Sequence, residues 1–454
     1  MSSKLGIETK SWIIYFLFKI NKLNVNLLDI INYSDLIFLS EKIKNYQEYQ
    51  NLILKIVELQ EKNLKAKARK RRIKIGFIVD SSSLWGCDDI YKKLENIANC
   101  EPYVIIPLRS QDKKMRIVKR KTIYYFKKKK IKYYIVKEIK DARWGKKLPD
   151  ILFSQVPYEG LFLQENFCLE NIPCSCMQMF IPYTFWIARM IDESFINNKN
   201  MRIFSKIFAP SKEHMIFFEK SVKGGIDKRR LFYSGYPKCD SYYNKNNIDI
   251  NEIWKNGKDK KRIVYAPGLM DSLASFSTFN LNYIQILNIA KRTKNTVSWI
   301  IRLHPFMAEY CIKQGIFSNI KEWNFYIKEW EKLDNAKISI HGDYQDIFKT
   351  SDGMIMDSIS FLPVYQYVHK PLLLLTRNTQ KMNKLGGMLK EVVYTADAKD
   401  MDGINNFINN VIIKGNDEKL SIRKVFFKKN LDYVYKNKKL ASDYIVNEIE
   451  KVFC

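Results

Sequence analysis

Short β-branched runs that stop at a turn or polar residue, each followed by a helical stretch, constrain this chain more than any other feature. Ile73-Lys-Ile-Gly-Phe-Ile-Val79 ends at Asp80 and three serines before a helix through Ile90 to Ile97. Tyr103-Val-Ile-Ile-Pro-Leu108, Pro149-Asp-Ile-Leu-Phe-Ser154 and Ile207-Phe-Ala-Pro210 repeat the pattern. A second set follows a polar stretch over residues 244–261: Arg262-Ile-Val-Tyr-Ala-Pro267, Ser298-Trp-Ile-Ile-Arg-Leu303, Ile338-Ser-Ile340, Gly353-Met-Ile-Met356 and Pro371-Leu-Leu-Leu-Leu-Thr376. Strands alternating with helices build parallel, helix-covered α/β sheets. Two such sets predict two Rossmann-like domains with a cleft between them. Ligands of open α/β sheets bind outside the carboxyl ends of the strands, so the residues just past each strand are the ones to search.

The 454 residues suffice for two or three domains. The expected partition is an N-terminal helical extension over residues 1–72 and domains over 73–243 and 244–454. Within the extension, Ile43, Tyr46, Tyr49, Leu52, Ile53, Ile56, Leu59 and Leu64 recur at helical spacing, which predicts one amphipathic helix over residues 41–74 with a basic end. No run reaches the roughly 18 uncharged apolar residues of a membrane span, because Lys19 and Lys22 interrupt the run from Trp12 to Phe18. The start lacks a signal-peptide pattern and the eight cysteines show no disulfide or zinc spacing, so a cytoplasmic protein is expected.

Charge narrows the partners. Lysine plus arginine number 77 against 48 acids, a net +29, which calls for an anionic ligand or surface. Residues 113–147 mix lysines and arginines with Tyr124, Tyr125, Phe126, Tyr133, Tyr134 and Trp144; such a segment suits an anionic membrane face or single-stranded nucleic acid, or forms a solvated hairpin. None of the common nucleic-acid modules is visible, and no nucleic-acid partner is expected.

Only four histidines occur. His304 closes the strand of Arg302-Leu-His-Pro305, where a guanidinium fork and an imidazole suit a diphosphate. His341 and His369 also sit at strand or turn boundaries, and His214 reads as a helix-surface residue. Asp357, Ser358 and Ser360 follow another strand and open a helix, an arrangement that offers hydroxyl and backbone donors to an anion. Walker, Gly-x-Gly-x-x-Gly and His-Glu-x-x-His patterns are absent; Asp400-Met-Asp402 has a metal-type spacing but lies in a polar stretch, and no metal or cofactor is expected.

Tyr265-Ala-Pro267, Arg302-Leu-His-Pro305, Ser351-Asp352, Asp357-Ser-Ile-Ser360, Lys370-Pro371 and Asn383-Lys-Leu-Gly386 together, with Gly235-Tyr-Pro-Lys-Cys-Asp240 before them, resemble the CDP-glycerol glycerophosphotransferases of teichoic-acid and capsule synthesis. Gln155-Val-Pro-Tyr158 and Ile181-Pro-Tyr183 look like elements of capsule-associated members. The chain departs from the family in two places. Tyr183-Thr184 stands where better-known members have His-Gly, and Ser358 and Ile359 replace the Tyr and first Ser of an Asp-Tyr-Ser-Ser element, leaving Ser360.

The resemblance implies a GT-B-like fold whose C-terminal helix, around Lys439-Leu-Ala-Ser-Asp-Tyr-Ile445, returns to the first domain. It implies that residues 73–243 handle the acceptor, with Gln155 and Tyr158, and that residues 244–454 bind the donor, with Arg302, Asp357, Ser358, Ser360 and Pro267. His304 and Tyr183 would be catalytic. The donor would be CDP-glycerol or a related CDP-polyol and the acceptor a saccharide or lipid-linked polymer, with CMP leaving. Such an enzyme would work peripherally at the inner face of the cytoplasmic membrane, with the basic segments against its anionic surface. The alternative is a GT-B glycosyltransferase that uses a nucleotide-sugar for surface polysaccharide.

Overall fold

The computed structural model describes residues 6–107, 113–136, 148–156, 169–244, 247–269, 276–340 and 344–454. The chain divides into two compact units: residues 1–184, 193–240 and 433–454 form one, and residues 185–192 and 241–432 the other.

The first unit holds a seven-stranded sheet of β1 (Ile73–Ile78), β2 (Cys100–Pro107), β3 (Tyr133–Val136), β4 (Ile151–Ser154), β5 (Met177–Phe180), β6 (Lys206–Ala209) and β7 (Leu231–Tyr233) in the order β3-β2-β1-β4-β5-β6-β7. Every pairing is parallel. Strand order reverses between β1 and β4, the switch point at which open sheets receive ligands. Ile78 pairs with Ser154 and Ser154 with Phe180, so Val79, Gln155 and Ile181 stand level at the carboxyl edge.

The second unit repeats the plan with β8 (Lys261–Ala266), β9 (Val297–Arg302), β10 (Ala336–Ser339), β11 (Gly353–Met356), β12 (Leu372–Thr376) and β13 (Tyr394–Asp397), again all parallel, in the order β10-β9-β8-β11-β12-β13. Its strands are buried on both faces: Ile263, Tyr265, Trp299, Ile301 and Ile355 pack into one core, while the alternate residues Val264, Ala266, Ile300, Met354 and Met356 are also buried. That explains why they read as continuous apolar runs rather than alternations. The register of Met356 on Ala266 brings Asp357 and Pro267 side by side one residue beyond the sheet.

The N-terminal extension is not a separate body. Its helices Ile7–Lys19, Tyr33–Lys42 and Tyr46–Ala68 belong to the first unit. The expected continuous helix over residues 41–74 starts only at Tyr46, because the Asn45 side chain accepts from the amides of Gln47 and Glu48 and caps it there. Near its basic end, Lys67 and Arg71 close on the buried Asp150 at 2.9 and 2.7 Å, so part of that run is structural. The segment from residue 113 is a helix, Lys113–Lys128, followed by edge strand β3 rather than a hairpin; residues 137–147 lie outside the described residues.

The terminal helix Ala441–Glu450 also packs on the first unit, where Ile445, Val446, Ile449, Val452 and Phe453 join Ile73, Phe77 and Phe153 in one core. The expected partition at residues 243 and 244 assigned this segment to the second domain. The family resemblance implied its return to the first, and the chain does leave the first unit after Asp240 and re-enter it at Tyr433. The re-entry explains the Gly235-Tyr-Pro-Lys-Cys-Asp240 element. The buried carboxylate of Asp240 accepts from the Tyr433 hydroxyl at 2.6 Å and from the amides of Ala441 and Ser442 at 2.8 Å each, capping the terminal helix. Gly235 has φ +85°, and a Cβ there would lie 2.1 to 2.6 Å from the Tyr433 ring, so only glycine fits.

Candidate active site

At the carboxyl edge of the second sheet, Asp357 follows β11 and is fully enclosed. One of its oxygens accepts from the Gly268 amide and the other from the Thr278 amide and, at 2.7 Å, the Thr278 hydroxyl. The relay continues inward, where Asn282 donates to Thr278 Oγ1 at 3.2 Å and accepts from the Tyr265 hydroxyl at 2.9 Å. Tyr265 of the Tyr265-Ala-Pro267 element is therefore a strut beneath the edge. Burial pushes the Asp357 carboxyl pKa up, and its hydrogen bonds work against that rise. The carboxylate is thus spent on holding the chain at Gly268 and Thr278.

Sequence reasoning missed the other ties to Gly268 and to residues 276–278. Arg377, just past β12, donates to the Ser277 carbonyl at 2.9 Å, Gln380 donates to that of Phe276 at 2.8 Å, and the Ser277 hydroxyl bonds the Gly268 carbonyl at 2.8 Å. Arg377 was findable, because it is the first residue beyond a predicted strand.

Ser358 and Ser360 are half-buried on the same turn. Ser360 occupies the cap position of the short helix Phe361–Tyr365 without a side-chain capping bond, so its hydroxyl is not consumed as an N-cap. Pro267 is buried beside Asp357.

Arg302 closes β9 and donates to Ser339 Oγ at 2.6 Å across to β10. His304, two residues on, keeps an accessible edge although protein crowds the ring; burial and the Arg302 charge hold its pKa down to about 4. The ring is neutral at pH 7. The Phe306 amide points at Nδ1 at 3.2 Å, which assigns Nδ1 as acceptor and leaves the proton on Nε2. His304 is therefore a neutral hydrogen-bond donor at a strand end.

At the carboxyl edge of the first sheet, Gln155 and Tyr183 meet through a bond from the Tyr183 amide to the Gln155 carbonyl at 3.3 Å. Gln155 is buried, its Nε2 lies 3.4 Å from Cys87 Sγ, and its Oε1 is a buried acceptor without a hydrogen-bond donor among the described residues. An orphaned acceptor of this kind is a place for a ligand hydroxyl. Tyr236 donates to the Tyr183 carbonyl. Burial pushes the Tyr183 phenol pKa above its ordinary 10, so the phenol keeps its proton at neutral pH. Tyr158 lies outside the described residues.

The remaining candidates have structural roles or fall outside the description. His214 is buried, not on a helix surface, with Nδ1 2.6 Å from the capping hydroxyl of Ser211. His369 forms a left-handed turn before β12, its ring edge-on to Phe427 at 4.7 Å, and His341 is not among the described residues. Lys370 donates to the carbonyls of Lys349 and Ser351 at the end of a helix. Asp400 caps the helix Met401–Asn406 through the Gly403 amide at 2.9 Å. Asn383 accepts from the Gly386 amide and donates to Asp192, fastening residues 185–192 to the second unit. Among the described residues no cluster of three or more His, Cys, Asp or Glu side chains could hold a metal ion.

Two doubly wound sheets with polar strand ends define a GT-B-like protein. The structure of the wall teichoic acid polymerase TagF shares the fold with a TM-score of 0.55 at 15% identity, covering 87% of this chain and 93% of that one. UDP-GlcNAc 2-epimerase from Neisseria meningitidis, solved bound to UDP-GlcNAc, gives 0.53 at 13% identity over 84% of this chain and all of that one. Residues 189–451, more than half the chain, match the CDP-glycerol:poly(glycerophosphate) glycerophosphotransferase family, and the chain belongs to that family. The teichoic acid glycerol-phosphate primase of Bacillus spizizenii is 25% identical over 266 residues, which is 53% of this chain and 61% of that relative, so the match spans under two thirds of the relative's length.

Proposed function

We propose that this chain is a transferase that moves glycerol phosphate, or a similar polyol phosphate, from a CDP-linked donor to a saccharide or polyol-phosphate acceptor in teichoic-acid or capsule-type polymer synthesis. Family membership supports the reaction class. The observation that carries the assignment of residues is the neutral, Nε2-protonated His304 beside Arg302, on the same sheet edge as Ser358 and Ser360.

In this mechanism Arg302 neutralises the diphosphate, and the Ser358 and Ser360 hydroxyls and the backbone around Gly268 hold the donor. The acceptor hydroxyl attacks the distal phosphorus, the anhydride P–O bond breaks, CMP leaves with the bridging oxygen, and the hydroxyl proton passes to the departing phosphate or to solvent. Nε2–H of His304 donates to oxygens that gain negative charge, a stabilisation that needs no proton transfer. On the first unit, Gln155 Oε1 accepts from an acceptor hydroxyl and Tyr183 donates to an acceptor oxygen.

Placement follows from charge. Among the described residues no helix is long and apolar enough to cross a membrane. The exposed cations of residues 65–72 and 116–128 favour an anionic bilayer, each contributing on the order of 1 kcal/mol near the surface. No nucleic-acid partner is proposed.

Phosphorus NMR of the product, with chromatography of the released nucleotide, tests the reading. A phosphodiester signal with stoichiometric CMP is expected; a phosphorus-free linkage with release of UDP or GDP would overturn it in favour of a glycosyltransferase.

A further inference from the structure

The helix Ile7–Lys19 is apolar or aromatic at every position from Trp12 to Phe18, so it is hydrophobic around its circumference rather than along one stripe. Helices of that composition are ordinarily covered on all sides, by protein or by lipid. Here protein covers one side. Ile14 is 4% exposed, Ser11 is buried, and Lys10 reaches the buried Asp35 at 2.7 Å. With the Lys19–Glu48 pair at the other end, these contacts fix the rotation of the helix.

The bare side carries Trp12 (40% exposed), Ile13 (44%), Phe16 (59%) and, just past the helix, Ile20 (45%). At 3.6 residues per turn these four fall within an arc of about 100°. Lys19 and the exposed Lys22 flank its C-terminal end, and the whole chain is strongly cationic. Two aromatics and two branched aliphatics beside lysines are the composition of a helix lying in the headgroup region of an anionic bilayer.

We propose that Trp12, Ile13, Phe16 and Ile20 insert into the headgroup–acyl boundary of an anionic membrane, with the helix parallel to the surface. The proposal takes its setting from the membrane placement above and goes beyond it. The basic segments supply attraction that salt screens, whereas this arc supplies apolar insertion, which sets depth and orientation and persists at high salt.

The test uses the full-length protein and sedimentation with vesicles of phosphatidylglycerol and phosphatidylcholine, at low and high salt. Wild type should sediment in both conditions. Trp12→Ser/Phe16→Ser should lose the salt-resistant part, with partitioning weakened roughly 10- to 100-fold per residue. Turnover of a water-soluble acceptor should stay unchanged, so failure of the insertion and failure of the transferase reading are told apart. Equal salt-resistant sedimentation of variant and wild type would overturn the proposal, as would a wild-type dimer that the two substitutions dissociate, because a second copy would then cover the arc. A conservative check does not depend on the folding of the double variant. Vesicles with brominated acyl chains should quench wild-type tryptophan fluorescence more than that of Trp12→Phe, and equal quenching would count against insertion.

Discussion

Asp240 in the first unit and Asp357 in the second are a matched pair in unlike surroundings. Each is a buried carboxylate in a motif that resembles a family element, each accepts three donors, and burial pushes the pKa of each up. Asp240 spends its bonds on Tyr433, Ala441 and Ser442, which fasten the end of the chain; Asp357 spends them on Gly268 and Thr278, which shape a sheet edge crowded with polar groups. The same chemistry thus anchors a fold in one place and shapes the edge proposed to bind the donor in the other. A motif aspartate is not, by its identity alone, a ligand.

The largest expected effect lies on the second edge. His304→Ala should lower turnover roughly 10²- to 10⁴-fold with little change in melting temperature; a large thermal loss would make that edge a scaffold like the Asp240 region. Because the His304 pKa is depressed from 6.5 to about 4, its neutral form is in place through neutral pH, and turnover should show no limb near pH 6.5 from this residue. Its contribution to stability is fully present above pH 6.5 and lost as pH falls toward 4, since the unfolded chain binds the proton first.

Next comes Gly235→Ala, which should destabilise by about 3 kcal/mol or more through left-handed backbone strain and overlap with the Tyr433 ring, read by thermal or urea denaturation. CDP affinity of the folded fraction should be unaltered. The sharpest test of the pair exchanges the readouts. Asp240→Asn should cost about 2 kcal/mol of stability and leave CDP binding alone, whereas Asp357→Asn should weaken CDP binding about tenfold in calorimetry. Equal effects of the two variants on both measurements would erase the distinction. The smallest change is expected from Ser360→Ala, about 1 kcal/mol of donor binding from one lost hydrogen bond, with no thermal shift because the hydroxyl caps nothing.

Strands rich in branched apolar residues were legible in the sequence. β1, β8, β9, β11 and β12 lie within a residue or two of their expected runs, because a strand buried on both faces must be apolar throughout. The weak strands were not: β5 is Met-Gln-Met-Phe, β7 spans three residues, and β3 and β13 stand at sheet edges where few neighbours demand a pattern. The strand-end rule located Arg302, His304 and the turn after β11. It could not foresee that Asp357 answers to Thr278, 79 positions earlier, or Asp240 to Ser442, 202 positions later. It likewise left His214 on a surface, since periodicity does not show that Ser211 turns the ring inward.

The return of the chain to the first unit at Tyr433 bears on how the protein is born. A ribosome emits Asp240 long before Ala441 and Ser442, and at about 5–20 residues per second the intervening stretch takes on the order of 10–40 s. Through that interval the second unit is being made, while the first holds an uncapped carboxylate and an incomplete core around Ile73, Phe77 and Phe153. The nascent first half is then the stage most exposed to chaperones and to aggregation, and residues 433–454 act as the closing stitch of the part that was made first.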